Sequence, residues 1–311
     1  MKARMLVIGT LSIGLALPQV ALPWAAAVHG YAAAQLGHRG VLEKEFVYGS
    51  VAGDTFNFFF QDPQARQYLY VVTHGLTPLQ LGTVLPVLEN ADGEREEAVA
   101  LGFVSHNNFN AGDMVAHGYP YDDPSGYIIQ KAVALQPEIT FLLGQAGLSL
   151  PAPLVREMSH VLVEYAADLL MRDADRSIGA LLLSSAAARG PGFPELLVAS
   201  YADGLAQAAG VDRDVAVSWI VEEEASFRGM TAAYGAILQK GDAKAFEEMV
   251  VFLTGTAQQY LAMYGFSVPA ELVPPLVRYG LSRGMALCAP DLMDAVGETV
   301  EAMAAALAPL E

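Results

Sequence analysis

Apolar positions recur at helical spacing along most of the chain, and no useful stretch alternates apolar and polar residues as a half-buried strand would. Between Pro63 and His74, the residues Tyr68, Leu69, Val71 and Val72, with Tyr70 among them, form a short amphipathic helix. Residues 93–118 read as one helix or two end to end, opened by Glu94-Arg95-Glu96-Glu97, an acidic turn suited to a helix N-terminus. Residues 119–127, rich in Pro, Asp, Ser and Gly, read as a loop. A strong helix follows over about 152–172, with Leu154, Val155, Met158, Val161, Leu162, Tyr165, Leu169 and Leu170 on its apolar surface. Further helical patterns cover 194–209, 212–240, 243–264, 270–286 and 291–307. Asp212 and Asp291 stand where N-caps would, and Gly210, Gly241 and Gly265 where helices would stop. The expected fold class is all-α, a multi-helix globular bundle.

No internal repeat, low-complexity tract or Pro/Ser-rich linker divides the chain, so one helical domain is the economical reading, with 176–311 packed as a helical extension of the first part. A looser seam falls at Arg189-Gly190-Pro191-Gly192. The N-terminus is distinct. Lys2 and Arg4 precede an uncharged run over 5–28, interrupted by Pro18 and Pro23 and ending near Ala25-Ala26-Ala27. A positive start, an apolar stretch and small residues make residues 1–27 a secretory signal, implying a secreted or periplasmic protein. The same run is long enough for an uncleaved membrane anchor. A first core helix of a cytoplasmic protein is the plainer alternative.

Charge then narrows the partners. The 311 residues carry a formal net charge of −17, which excludes a basic nucleic-acid surface and disfavours attraction to anionic bilayers. Any phosphate handled here must meet positive charge from something other than Lys and Arg. The single cysteine, Cys288, permits no disulfide and no Cys-based zinc site, and reads as a small core residue. No Gly-rich loop followed by Lys-Ser/Thr appears, so nucleotide binding has no support.

All six histidines, His29, His38, His74, His106, His117 and His160, lie in the first 160 residues. On a continuous helix, His106, Asn110, Asp113 and His117 would share one face, and His160, Glu164 and Asp168 follow at i, i+4 and i+8. A single such pair is usually an ordinary hydrogen-bonded pair. Two helices of this kind, with Asp54 and His74 also in apolar surroundings, point to metal, because burying so many imidazoles and carboxylates without cations is costly.

These residues resemble the zinc-dependent phospholipase C family. The resemblance rests on the order of His106, Asp113, His117 and His160-x3-Glu164, on Gly49-Ser50-Val51-Ala52-Gly53-Asp54 and Thr73-His74-Gly75 upstream, and on Trp24 followed five residues later by His29. It covers about 24–168 and marks 24–175 as the metal-site region, with a metal cluster between helices. It implies two or three zinc ions: Asp54, His74, His106 and Asp113 around one; His117, His160 and Glu164 around another; and His29 at a third. It implies hydrolysis of a phosphoester, a phospholipid or small phosphodiester, with zinc stabilising phosphoryl charge and acidifying water, and Asp54 orienting or deprotonating that water.

This sequence departs from the family in the spacing. His106 and Asp113 are separated by six residues where the family has three, so Asn110 or a shifted Asp113 takes the ligand role. A straight helix would also hold His106 and His117 about 16 Å apart, so a kink, with Gly112 the obvious place, or convergence from other helices is required. Glu164, where the related single-strand-specific zinc nucleases tend to have aspartate, leans toward the phospholipase side. Asp168 is either a positioning partner for a ligand histidine or a surface residue. The alternatives are a zinc-binding helical protein without turnover, a nuclease-like relative, and a plain acidic helical protein. Asp54-Thr55-Phe56-Asn57 with Phe58-Phe59-Phe60 is either an aromatic lip for lipid or core, and Glu222-Glu223-Glu224 reads as a solvated face.

Overall fold

Fourteen α-helices and no strand are found among the residues described by the computed structural model, which are 26–37, 42–57, 59, 61–77, 82–120 and 122–310. Residues 1–25, on which the expected signal or anchor falls and which include Trp24, lie outside them, as do His38, Phe58 and Phe60. In chain order the helices are α1 (Ala26–Gln35), α2 (Glu43–Ala52), α3 (Pro63–His74), α4 (Pro86–Glu89), α5 (Glu94–His106), α6 (Gly112–His117) and α7 (Tyr127–Gln145). They continue with α8 (Ala152–Ala174), α9 (Ile178–Ala188), α10 (Phe193–Ala209), α11 (Arg213–Leu238), α12 (Asp242–Met263), α13 (Val273–Cys288) and α14 (Leu292–Leu307). A 3-10 turn, Gly53–Phe56, extends α2. No helix among the described residues is long and apolar enough to cross a membrane.

Local chemistry sets the ends that matter. At the start of α3, Asp62 accepts from the Ala65 N–H at 2.7 Å and Pro63 fills the first helical position. The helix stops at His74 because Gly75 takes a left-handed conformation, φ 55°. The expected continuous face from His106 to His117 does not exist. α5 ends at His106, and Asn107 Oδ1 accepts from the N–H groups of Phe109 and Asn110 at 3.0 and 3.1 Å, turning the chain before α6 begins at Gly112.

Several other expectations change. Helices α2, α4, α7 and α9 lie where no amphipathic pattern predicts them: α7 carries Pro137 in its interior, and α9 is apolar on nearly every face. Asp212 and Asp291 occupy N-cap positions, but neither side chain makes the cap bond; Asp291 instead takes the Tyr127 hydroxyl at 2.9 Å and Lys131 Nζ at 2.6 Å. Glu224 is not solvated. It is fully buried against the Tyr48 hydroxyl at 2.9 Å and the Arg189 guanidinium at 2.8 Å. Phe56 and Phe59 are core residues rather than a lip, with Phe59 packed on Trp219. Cys288 is buried, and burial pushes its thiol up to about 11.

One apolar core draws residues from Ala27 through Val296, so helices on both sides of the 189–192 turn share it. Met303 and Leu307 of α14 pack against Ala32 and Ala33 of α1 and Phe46 and Val47 of α2. The backbones of α2 and α5 approach closely. A Cβ on Gly49 would sit 2.0 Å from the Val99 carbonyl oxygen, and one on Gly102 2.1 Å from that of Phe46. This contact brings the turn bearing Asp54 up to the end of α5.

Candidate metal centre

Three of the candidate histidines are the last residues of their helices: His74 of α3, His106 of α5 and His117 of α6. Helix C-termini carry partial negative charge, so their convergence favours a cation between them. Asp54 enters on the 3-10 turn, Asp113 on the first turn of α6, and His160 and Glu164 on successive turns of α8. His29 comes from α1. Its placement depends on Asp168, whose carboxylate accepts from the Ala27 and Val28 N–H groups at 2.7 and 3.0 Å and from the Tyr234 hydroxyl at 2.7 Å. Asp168 is thus neither a partner for a ligand histidine nor a surface residue; it pins the start of α1 to α8.

The hydrogen bonds fix which ring nitrogens are lone pairs. His106 Nδ1 lies 2.9 Å from the Ser50 carbonyl oxygen and His74 Nδ1 2.9 Å from that of Tyr70. His117 Nδ1 lies 3.1 Å from Asn108 Oδ1, whose amide nitrogen is turned to the Gly118 carbonyl. A carbonyl oxygen can only accept, so each Nδ1 carries the hydrogen and each neutral ring presents an Nε2 lone pair. Those of His106 and His74 face carboxylate oxygens. His106 Nε2 is 3.4 Å from both Asp54 Oδ1 and Asp113 Oδ2, and His74 Nε2 is 3.4 Å from Asp54 Oδ1 and 3.9 Å from Asp113 Oδ2. His117 Nε2 is 3.0 Å from His160 Nε2 and 3.5 Å from Glu164 Oε1, which lies 2.8 Å from His160 Nε2.

His106 Nε2, Asp113 Oδ2 and Glu164 Oε2 are buried with no hydrogen-bond partner. In a protein interior such atoms normally find one. Ligand atoms about 2.0–2.1 Å from a tetrahedral zinc lie about 3.3 Å from one another, which is the spacing seen around His106. Among the described residues, three buried clusters could hold metal ions: His29, His106 and Asp113; Asp54, His74 and His106; and His117, His160 and Glu164. His29 therefore sits with the first set rather than apart at a third place. Its ring stacks on His106 with centroids 4.3 Å apart, and its Nε2 meets Asp113 Oδ1 at 3.0 Å. It is Asp113 that faces the imidazoles, while Asn110 is held on the turn by its backbone bond to Asn107.

The electrostatics agree with a set of groups short of positive charge. Burial holds the His29 and His117 imidazoles well below their ordinary value, with neighbouring imidazoles adding, and takes His160 down to about 3. Burial also lifts Glu164 well above the carboxylate range, with Asp54 and Glu157 next in effect, and raises Asp113 to about 7. Burial opposes charge on His106 as well, but the Asp113 and Asp54 carboxylates overcome it and raise the ring to about 9. A cation among them would let the carboxylates ionise and the imidazoles stay neutral.

Sequence reasoning misses the side chains that orient the rings. Asn108 holds His117, the Ser50 and Tyr70 carbonyls hold His106 and His74, and Asn57 Nδ2 donates to Asp54 Oδ1 at 2.6 Å. The Asn107-Asn108 doublet was the available signal, since asparagine favours turns over helix interiors. Gly53 matters for space: a Cβ there would lie 2.3 Å from the His106 ring. No family model matches the chain, and neither a curated protein nor a solved structure does.

Proposed function

We propose that the chain is a zinc-dependent phosphoric ester hydrolase similar to the zinc-dependent phospholipase C family, cleaving a phosphodiester such as a phospholipid headgroup linkage. The observation that carries this reading is the convergence of imidazole Nε2 lone pairs on carboxylate oxygens in a buried space. Imidazole and carboxylate at these separations suit zinc. Zinc bound there would polarise phosphoryl oxygens and lower the pKa of water.

The chain's own residues then have separate tasks. Asp54, 9% exposed, is the most accessible of the eight candidate residues and is held by Asn57, so it is placed to orient and deprotonate an incoming water. A groove lined by Gln64, Tyr68, Arg156, Glu157 and Tyr260 reaches His160 and offers the substrate's way in. The net charge of −17 favours a neutral or zwitterionic substrate over a polyanion, and so a phosphodiester of lipid type over nucleic acid. The N-terminal run over 5–28 is consistent with a secreted or periplasmic setting, or with an anchor.

The test is to measure metal content after zinc reconstitution and to assay a chromogenic phosphodiester with and without chelator. Chelator-sensitive turnover with at least two metals per chain is expected. Fewer than one metal per chain removes the proposal. Full metal without hydrolysis of diesters or monoesters would make the protein a metal-binding one instead.

A further inference from the structure

Helices α8, α12 and α13 enclose an apolar cavity beside the groove. Val161 and Leu162 of α8, Leu253, Ala257 and Leu261 of α12, and Val277 of α13 form its walls. The three α12 residues recur at i, i+4 and i+8, so one stripe of that helix faces the space. The reason it stays open lies in α13. Gly280 and Gly284 let that helix close onto α8, where a Cβ would meet Leu162 Cδ1 at 2.5 Å and Ala166 Cβ at 2.8 Å. One turn earlier Val277, then Leu276 and Val273, replace the glycines and hold the helices apart.

Two residues connect this cavity to the candidate centre. Glu157 and Tyr260 line both the cavity and the groove that reaches His160. Glu157 stands one turn before His160 on α8, and its Oε1 is buried with no hydrogen-bond partner. Burial raises its carboxyl to about 8, with Asp122 adding to the effect, so it is largely uncharged at neutral pH. Among the described residues, Glu157 is the one charged side chain lining the cavity. Water gains little against walls that are apolar except at the end where Glu157 and Tyr260 stand, and wall atoms facing a void lose dispersion contacts. The space lies between helices rather than on an outer face, so its occupant is slender and aliphatic.

We propose that this cavity binds the tail of a single-chain amphiphile whose polar head extends along the groove toward His160. The identity of the head rests on the phosphoester reading; the tail site does not. It gives α12 and α13 a binding role that no sequence motif in them announces.

Two homologous series separate tail from head: n-alkyl phosphates and n-alkyl dimethylamine oxides, hexyl through dodecyl, titrated below their micelle thresholds into the full-length zinc-loaded protein. Affinity should rise in both series, by about fourfold per added methylene at full burial. Ala257→Trp and Thr256→Phe, which fill the cavity, should flatten that rise, while Val251→Trp on a residue 72% exposed should leave it intact. Helicity by circular dichroism and metal content establish that each variant is folded. No dependence on chain length in the wild-type protein overturns the proposal without any variant. A dependence that survives in both folded cavity variants overturns it too, because the tail then binds elsewhere. A phosphate series that gains nothing over the amine oxides, and is unmoved by chelation, removes the phosphoester reading and supports a tail site standing alone.

Discussion

The two halves of the chain bury polar groups in opposite ways. Past the 189–192 turn the buried carboxylate and threonines meet partners of the complementary kind, and the unpartnered atoms, the Tyr201 hydroxyl and Arg228 Nε, stand singly rather than in a cluster. Glu224 takes Tyr48 and Arg189, Thr231 donates to the Phe227 carbonyl, and Thr299 donates to that of Ala295. Before that turn, imidazole nitrogens and carboxylate oxygens crowd together around His106 and His117, and His106 Nε2, Asp113 Oδ2 and Glu164 Oε2 meet no partner among the described residues. Burial is equal in the two places, so burial alone does not mark a site. The mark is a buried set of imidazoles and carboxylates that converge on one another and leave His106 Nε2, Asp113 Oδ2 and Glu164 Oε2 without a partner, which suits a cation.

Removing metal should break this contrast most strongly. A ligand that binds only the native state stabilises it by about 4 kcal/mol when present at a thousand times its Kd. At about 2–4 °C per kcal/mol for a chain of this order of size, chelation should lower Tm by about 8–16 °C, and zinc should restore it. Differential scanning fluorimetry with and without a chelator measures this, and an unchanged Tm would place the first half alongside the second. Next in size is Glu224→Ala, which leaves the largely covered Arg189 guanidinium without its carboxylate and the buried Tyr48 hydroxyl without its acceptor, and should cost about 3 kcal/mol. Urea unfolding reads the loss. Metal content should stay at the wild-type level, because nothing around Glu224 belongs to the candidate centre. A loss of metal in that variant would show that the halves are not independent.

Asn108→Ala is milder and more specific. It removes the acceptor that fixes the His117 tautomer and should weaken metal binding about 10–100-fold, since residues behind metal ligands act on that scale. Competition with a chromophoric chelator gives the affinity. Wild-type affinity in this variant would mean that His117 is not a ligand.

Much of the fold was legible because its helices carry one-sided apolar stripes and recognisable ends, as in α3 with Asp62, Pro63 and Gly75. Where helices are apolar all round, as in α9, or contain proline, as in α7, periodicity carries no signal. The composition of the candidate centre was legible from residue type and order. Its assembly was not, because that depends on features without periodicity: the Asn107 turn that separates His106 from Asp113, the Gly49–Gly102 contact that brings Asp54 close, and Asp168 pinning α1. Asp168 shows the hazard of helical spacing most clearly. It shares a face with His160 and Glu164, yet it binds backbone N–H groups at the start of α1.

The smallest effect tests where the two halves meet, at Glu157. Its folded pKa, about 8, lies above the ordinary carboxylate value, so the native state keeps this proton when the unfolded chain has lost it. The stability this contributes is fully present below the unfolded value, near pH 4.5, and is lost as pH rises through about 8. Glu157→Gln cannot titrate and should gain on the wild type over that window, by less than about 1 kcal/mol because the side chain is only half-buried and solvent screens it. Asp122, Arg66 and Arg156, which act on Glu157, remain in both proteins, as do the candidate ligands, so their titrations largely cancel in the difference. Comparing Tm for the two zinc-loaded proteins at pH 5.5, 7 and 8.5 reads it directly. A difference that does not change with pH would place Glu157 in water, and the cavity would then open to solvent at the point where it joins the groove.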